Sequence, residues 1–344
     1  MADLELARHQ HAYERLAALY HKGKLPHALL LTGLAGVGKK ATAMRLAMAF
    51  NCQRSSRGRQ SPPGNPSHQA LGADDFPTVC GACPPCRQIA AGHFPDIITI
   101  DPSGDLIKIG QIRQLLSTLA MKPYGSGMRV VIIRDAPAMN APAANALLKI
   151  LEEPPDRTVL ILTAVQAESL LPTIRSRCQR VRLAPLPDAY IRERLASELG
   201  LSRSDCRVAA ALAQGSYSRA LEMARPRWLQ RRAGLVEHIA NLPELALSGK
   251  LIWAEMLAGD KAALEDFLNI GQIWLRDLLV ARTGGGPLIN HDYRELITRQ
   301  AARFSPAAIS RCLESVVATR KAIRRTNPNR RLLAEALVLG WQYV

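Results

Sequence analysis

The 344-residue chain has no apolar run approaching the ~20 residues that a helix needs to span a bilayer, which argues against a helical membrane span. Its first residues, Met1 to His9, are acidic and amphipathic. They lack the basic, apolar and small-residue zones of a secretory signal. The expectation is a soluble, cytoplasmic protein with no membrane partner. No strong internal repeat is present, which disfavours a solenoid or propeller. No helix motif of the base-reading kind is visible, nor any carboxylate pair of the polymerase kind. The seven cysteines are odd in number, and no export signal accompanies them. Metal binding is then the natural use for clustered thiols, rather than disulfides.

What is present is a strongly basic chain, 48% hydrophobic, with a formal charge of +16. Its length suggests two or three folding units. A basic surface gains counterion-release free energy on a phosphate backbone. No single basic stripe stands out, so the same charge also fits arginines spread over solvated helix faces.

The periodicity predicts a helix from His11 to His21, with Tyr13, Leu16, Leu19 and Tyr20 at helical spacing. Ala28 to Thr32 is a short apolar run bounded by Pro26 and Gly33, the pattern of a buried parallel strand. A glycine-rich turn, Gly33 to Lys40, leads into a helix from Ala41 to Asn51. Residues 53–79 are rich in Ser, Gly, Pro, Arg and Asn, and their composition predicts a disordered insertion. Further strands are predicted at Ile97 to Ile100, Arg129 to Arg134 and Thr158 to Thr163. Helices are predicted at Ile109 to Leu119 and Ala143 to Leu151. Strands alternating with helices imply a parallel sheet covered on both faces. After about Leu186 the strand signals stop. Tyr190 to Leu199 and Ser204 to Ala213 read as short helices. From about Trp228 nearly everything is helical, most clearly Ala307 to Ile323.

Two motifs carry chemistry on their own. In the first, Gly33, Gly38 and Lys39 take the glycine and lysine positions of a phosphate-binding P-loop between a strand and a helix. Backbone N–H groups there can cradle phosphate. The hydroxyl that should hold Mg²⁺ is replaced by Lys40, whose ammonium repels a cation. A relic of a P-loop ATPase fits better than an intact one. In the second, Cys80, Cys83 and Cys86 are spaced as a Cys-x-x-Cys-x-x-Cys triplet, with Cys52 at the end of the preceding helix. Four thiolates closing a tetrahedral site suggest structural Zn²⁺. Cys52 is the expected fourth ligand, with His68 and His93 as alternatives. A redox dithiol fits Cys83 and Cys86 alone but not three evenly spaced cysteines. Cys178, Cys206 and Cys312 have no partner spacing and read as core thiols.

The stretch from Asn145 to Pro155, followed by Leu170 to Cys178, closely resembles the clamp-loader branch of the AAA+ ATPases. The cysteine triplet inserted after the P-loop resembles bacterial members of that branch. The resemblance is specific over about Pro26 to Leu186 and continues weakly through Gly215 and Ser216 into the helical region. In active members, the strand before the Asn145 helix ends in Asp-Glu, which hold Mg²⁺ and activate water. That register falls here on Arg134 and Asp135. A later arginine of active members falls on Ser218, with Arg219 one place on. Lys40, Arg134 and Ser218 depart together, so the resemblance implies a subunit that does not hydrolyse ATP itself. The Ser176, Arg177 and Cys178 element is kept. In the family, this arginine projects into a neighbouring subunit's nucleotide site and acts there in trans. A surface pair with a carboxylate of its own chain is the plainer use of Arg177.

The resemblance implies an α/β, AAA+-type parallel sheet with helices on both faces over residues 1–186, including a zinc module at 52–86. It further implies a small helical lid over 187–226 and an all-helical oligomerisation domain over 227–344. The implied partners are ATP-hydrolysing subunits of the gamma or tau type and a delta-type clamp-opening subunit. The sliding clamp and primed DNA would be reached through the complex. Whether the degenerate P-loop still holds a nucleotide stays open. Two rival readings are an active ATPase motor of the same family and a zinc-containing DNA-binding module.

Overall fold

The computed structural model describes Leu16, Leu19 and residues 25–53, 79–125, 127–325 and 329–342. Of the predicted first helix, only Leu16 and Leu19 are described, and both are helical. The rest of that helix, most of the predicted insertion and His68 lie outside the described residues. The chain divides into two compact units, Met1–Leu186 and Pro187–Val344.

The first unit is built on a five-stranded parallel sheet: β1 (Ala28–Thr32), β2 (Ile97–Ile100), β3 (Arg129–Ile133), β4 (Thr158–Ala164) and β5 (Gln179–Arg182). Their order across the sheet is β2-β3-β4-β1-β5. β1, β3 and β4 are buried along their whole length. Strands covered on both faces favour apolar residues at successive positions, and this is why Ala28–Leu31, Val130–Ile133 and Val159–Leu162 read as continuous apolar runs. Successive side chains then serve opposite layers. Leu30, Val131, Ile133, Leu160 and Leu162 pack with Ile112, Leu115, Leu147 and Leu151 of two helices, α3 (Ile109–Ala120) and α4 (Ala141–Glu152). On the other face Leu29, Leu31, Val130, Ile132 and Ile161 meet Leu46, Ala47 and Phe50 of α1 (Lys39–Asn51), together with Leu16. Between these elements, α2 (Pro84–Ala90) packs on α1, and the short α5 (Pro172–Arg175) packs on α4.

β5 carries no apolar run. Of Gln179, Arg180, Val181 and Arg182, only Val181 is buried, because an edge strand pairs on one side alone. The helix α4 also begins earlier than Ala143. Asn140 accepts a hydrogen bond from the Ala143 N–H at 3.0 Å and caps the helix, and Pro142 fits its first turn.

The second unit is all-helical among the described residues. It runs through α6 (Asp188–Leu199), α7 (Arg203–Ala213), α8 (Tyr217–Met223), α9 (Pro226–Asn241), α10 (Leu247–Gly259) and α11 (Lys261–Thr283). It closes with α12 (Arg294–Arg303), α13 (Pro306–Arg325) and α14 (Arg330–Leu339). Side-chain caps from Ser202, Ser216, Asp260 and Asn329 start α7, α8, α11 and α14. Phe267 of α11 lies edge-on to Trp253 and against Trp341, giving the core an aromatic centre. Asp277 is fully buried, yet every need of its carboxylate is met. It accepts from Arg276 at 2.6 Å and from the Ile289 and Asn290 N–H groups at 3.0 and 2.7 Å. No helix among the described residues is long and apolar enough to cross a membrane.

Candidate functional site

The loop between β1 and α1 sits at the carboxyl end of an interior strand, with β4 on one side and the edge strand β5 on the other. Gly33 adopts φ +151, donates its N–H to the Val165 carbonyl at 3.2 Å, and lies against the chain beyond β5. A Cβ at Gly33 would stand 2.6 Å from the Leu183 carbonyl oxygen, so only glycine fits there. Gly38 is left-handed at φ +97, which turns the chain so that the helix begins at Lys39 rather than Ala41. The backbone of a phosphate cradle is therefore in place.

Its lysine is directed inward to the loop. Lys39 Nζ donates to the carbonyl oxygens of Gly33 and Leu34, each at 2.8 Å. Burial holds its ammonium below the ordinary lysine pKa, and the nearby Asp135 carboxylate opposes that shift. Lys40 is exposed on the first turn of the helix, where the Mg²⁺-holding hydroxyl is expected.

At the end of β3, Arg134 forms an ion pair with Asp101 at 2.8 Å. Asp135 follows in a left-handed conformation, φ 48 and ψ 55, and donates its N–H to Thr163 Oγ1 at 3.0 Å. A guanidinium thus stands at the position where the family resemblance places a metal-holding carboxylate. Ser218, in the second unit, is exposed on α8. Ser216 accepts the Arg219 N–H at 3.3 Å, and burial lowers the Arg219 pKa.

The cysteines converge. The sulfurs of Cys52, Cys80, Cys83 and Cys86 all lie within 4.8 Å of one another. Four sulfurs bonded to one Zn²⁺ at ~2.3 Å stand about 3.8 Å apart, so the donor set matches a tetrahedral thiophilic cation. Cys52 ends α1, and Cys86 is buried within α2; the packing of those helices brings the two halves together. The Cys83 N–H lies 3.3 Å from Cys80 Sγ. Backbone N–H groups of Cys83 and Ala82 bring the Cys80 thiol down to about 6, whereas burial pushes Cys86 up. His93 is not part of this group of donors.

Arg177 follows α5 and is partly exposed. Its Nη2 donates to Glu152 Oε1 at 2.7 Å and its Nη1 to the Thr173 carbonyl at 3.1 Å. In this isolated chain the guanidinium is therefore paired with a surface carboxylate of its own chain. The sequence did not single out Asp101, Glu152 or Thr163 as partners of these groups. They are far away in sequence: the parallel register of β2, β3 and β4 brings in Asp101 and Thr163, and the packing of α5 on α4 brings in Glu152.

The sheet order, the glycine loop from β1 into a helix, and the clamp-loader motifs define an AAA+-type module of the clamp-loader kind. The sequence pattern of the family described as "DNA polymerase III, delta subunit" matches residues 8–187, more than half of the chain, and that of its C-terminal part matches 226–343. The chain belongs to the DNA polymerase III delta' subunit family. It is 31% identical to DNA polymerase III subunit delta' of Escherichia coli K12, covering 95% of this chain and 92% of that one. Identity to the delta' subunit of Pseudomonas aeruginosa PAO1 is also 31%, covering 92% and 91%. The tau subunit of Escherichia coli is 32% identical over 54% of this chain but only 26% of its own length.

Proposed function

We propose that this chain is the non-hydrolysing subunit of a clamp loader that helps place a sliding clamp on primed DNA in the cytoplasm. Its partners would be ATP-hydrolysing subunits of the gamma or tau type and a delta-type subunit. The clamp and DNA would be engaged through the complex. The observation that carries this reading is the state of its own nucleotide site. Lys39 is tied to two carbonyls of the loop, Lys40 stands next to it where the Mg²⁺-holding hydroxyl is expected, and the residue just after β3 is Arg134. Positive charge occupies both places from which Mg²⁺ would be held.

Two further parts belong to the proposal. Cys52, Cys80, Cys83 and Cys86 hold a structural Zn²⁺, which contributes folding free energy and no step of a reaction. Arg177 acts in trans on a neighbour's nucleotide. Its pair with Glu152 involves exposed side chains and is worth only ~0–1 kcal/mol, so a neighbouring phosphate displaces the carboxylate at small cost. The lid and collar roles of residues 187–226 and 227–344 belong to the same reading.

The test is ATP hydrolysis by the pure full-length chain, with and without primed DNA. No turnover above background is expected, and Lys39→Ala should lower stability by about 1–2 kcal/mol in urea, since it removes a charge-assisted tie within the loop. DNA-stimulated turnover abolished by Lys39→Ala would make the chain an active motor instead.

A further inference from the structure

The four cysteine sulfurs that converge are not equivalent. Cys52 and Cys86 are 1% and 0% exposed, sealed where α2 packs on α1. Cys80 and Cys83 are partly exposed, in the segment that leads into α2. The cluster thus has a buried pair and an accessible pair. The accessible pair lies within one short turn. Cys83 donates its N–H to Cys80 Sγ at 3.3 Å. Gly81, between them, is left-handed at φ +65, and nothing lies within 4 Å of where a Cβ would stand. The turn is therefore open on its outer side, and its two sulfurs are within 4.8 Å of each other. Sulfur that ligates zinc is thiolate, the form that attacks an electrophile. The thiols of Cys206 and Cys312 differ on both counts: they are buried, and burial raises their pKa.

We infer that Cys80 and Cys83 are a site of oxidation by a hydroperoxide, and that the disulfide they form releases the zinc. The inference rests on the zinc reading given above. In the first step one thiolate attacks a peroxide oxygen. The O–O bond breaks, hydroxide leaves, and the sulfur becomes a sulfenic acid. In the second step the other thiolate attacks that sulfur. The S–O bond breaks, the S–S bond forms, and a second hydroxide leaves. Two protons from solvent turn both hydroxides into water. The two sulfurs lose two electrons between them, and the peroxide gains two. Cys52 and Cys86 stay thiolates, but two ligands do not complete a four-coordinate site, so the metal passes to solvent. The disulfide closes within the turn and needs no movement of α1 or α2. What is lost is the fastening of one helix to the other. A linkage through Cys52 or Cys86 is disfavoured, because the rate of attack depends on access and peroxide reaches neither buried sulfur.

The probe is hydrogen peroxide, added to the full-length chain carrying its zinc. Released metal is read by the colour of a chelating dye such as pyridylazoresorcinol, and the linkage is located by peptide mass mapping. One zinc is expected to leave for each Cys80–Cys83 disulfide formed, and a thiol reductant with added zinc should restore the bound metal. Cys80→His keeps a zinc ligand at that position but cannot form the disulfide. It is expected to hold zinc and to slow its release by about tenfold or more, because the remaining sulfur partners are buried. Release from Cys80→His at the wild-type rate would overturn the proposal. So would a wild-type linkage that runs through Cys52 or Cys86, and this mapping decides the point even if the histidine variant takes up no zinc. Zinc that stays bound while peroxide oxidises methionines elsewhere would end the oxidation site and leave the structural site standing. A chain purified without any zinc would remove both.

Discussion

Arg177 is held by contacts of unequal strength. The Thr173 carbonyl belongs to α5 and moves with it, whereas Glu152 is a neighbour at the far end of α4 that another anion can replace. This separates two roles of the same side chain. If the arginine serves only its own surface, Arg177→Ala and Glu152→Gln are equivalent, and each costs less than ~1 kcal/mol of stability. If it serves a neighbour, the variants diverge. Arg177→Ala is expected to leave folding and assembly intact but to impair clamp loading on primed DNA in the reconstituted complex. Removing such a group costs ~10³–10⁵ at the one site it serves. With several sites in a loader, total ATPase falls by much less. Arg177→Lys should not restore loading, because a point charge cannot form the paired bonds. Glu152→Gln should load at the wild-type rate or faster. Wild-type loading by Arg177→Ala would end the trans-acting role.

At the level of elements, the four cysteines join the end of α1, also tied through Asn51 to the Met128 backbone, to the short α2. α2 is seven residues long, too short to be stable alone, and it packs on α1 beside the cluster. Zinc analysis of protein purified without chelator should find one ion per chain. Cys83→Ser, or metal removal, should lower the thermal midpoint of the first unit without a separate effect on nucleotide chemistry. Protein without zinc would refute the site, and zinc retained after Cys52→Ser would remove only that ligand. The same elements show what a sequence makes legible. β1, β3 and β4 each carry an unbroken apolar run of four residues or more because both faces are covered, so each announces itself. β5 has a single apolar position, Val181, and its signal is lost among its arginines. α2 begins on Pro84 and Pro85, residues that read equally well as a turn until their place in a first helical turn is seen. The convergence of Cys52 on the triplet was legible from helix-end spacing. The tie of Lys39 to its own loop was not, because no spacing rule says which way a lysine turns.

For the whole molecule, the division at Leu186 and Pro187 gives a sharper cut than one chosen by helix pattern alone. A chain ending at Leu221 keeps α6 and α7 but ends within α8, whereas a chain ending at Leu186 keeps the complete sheet and its two layers. The shorter form is expected to fold, to retain zinc, and to fail to co-purify with the other loader subunits. Co-assembly at the normal level would contradict the proposed division of labour. The sheet itself has another consequence. Both of its outer strands are short, four residues each, and β5 alternates arginine with its one buried valine. An outer strand with charged side chains beside its free N–H and C=O groups is a poor template for a second strand. At the β5 edge, copies or neighbours are therefore poorly placed to extend the sheet from chain to chain. Beside the similar folds of the proposed loader, that edge would be guarded against the self-templated stacking that leads to fibres.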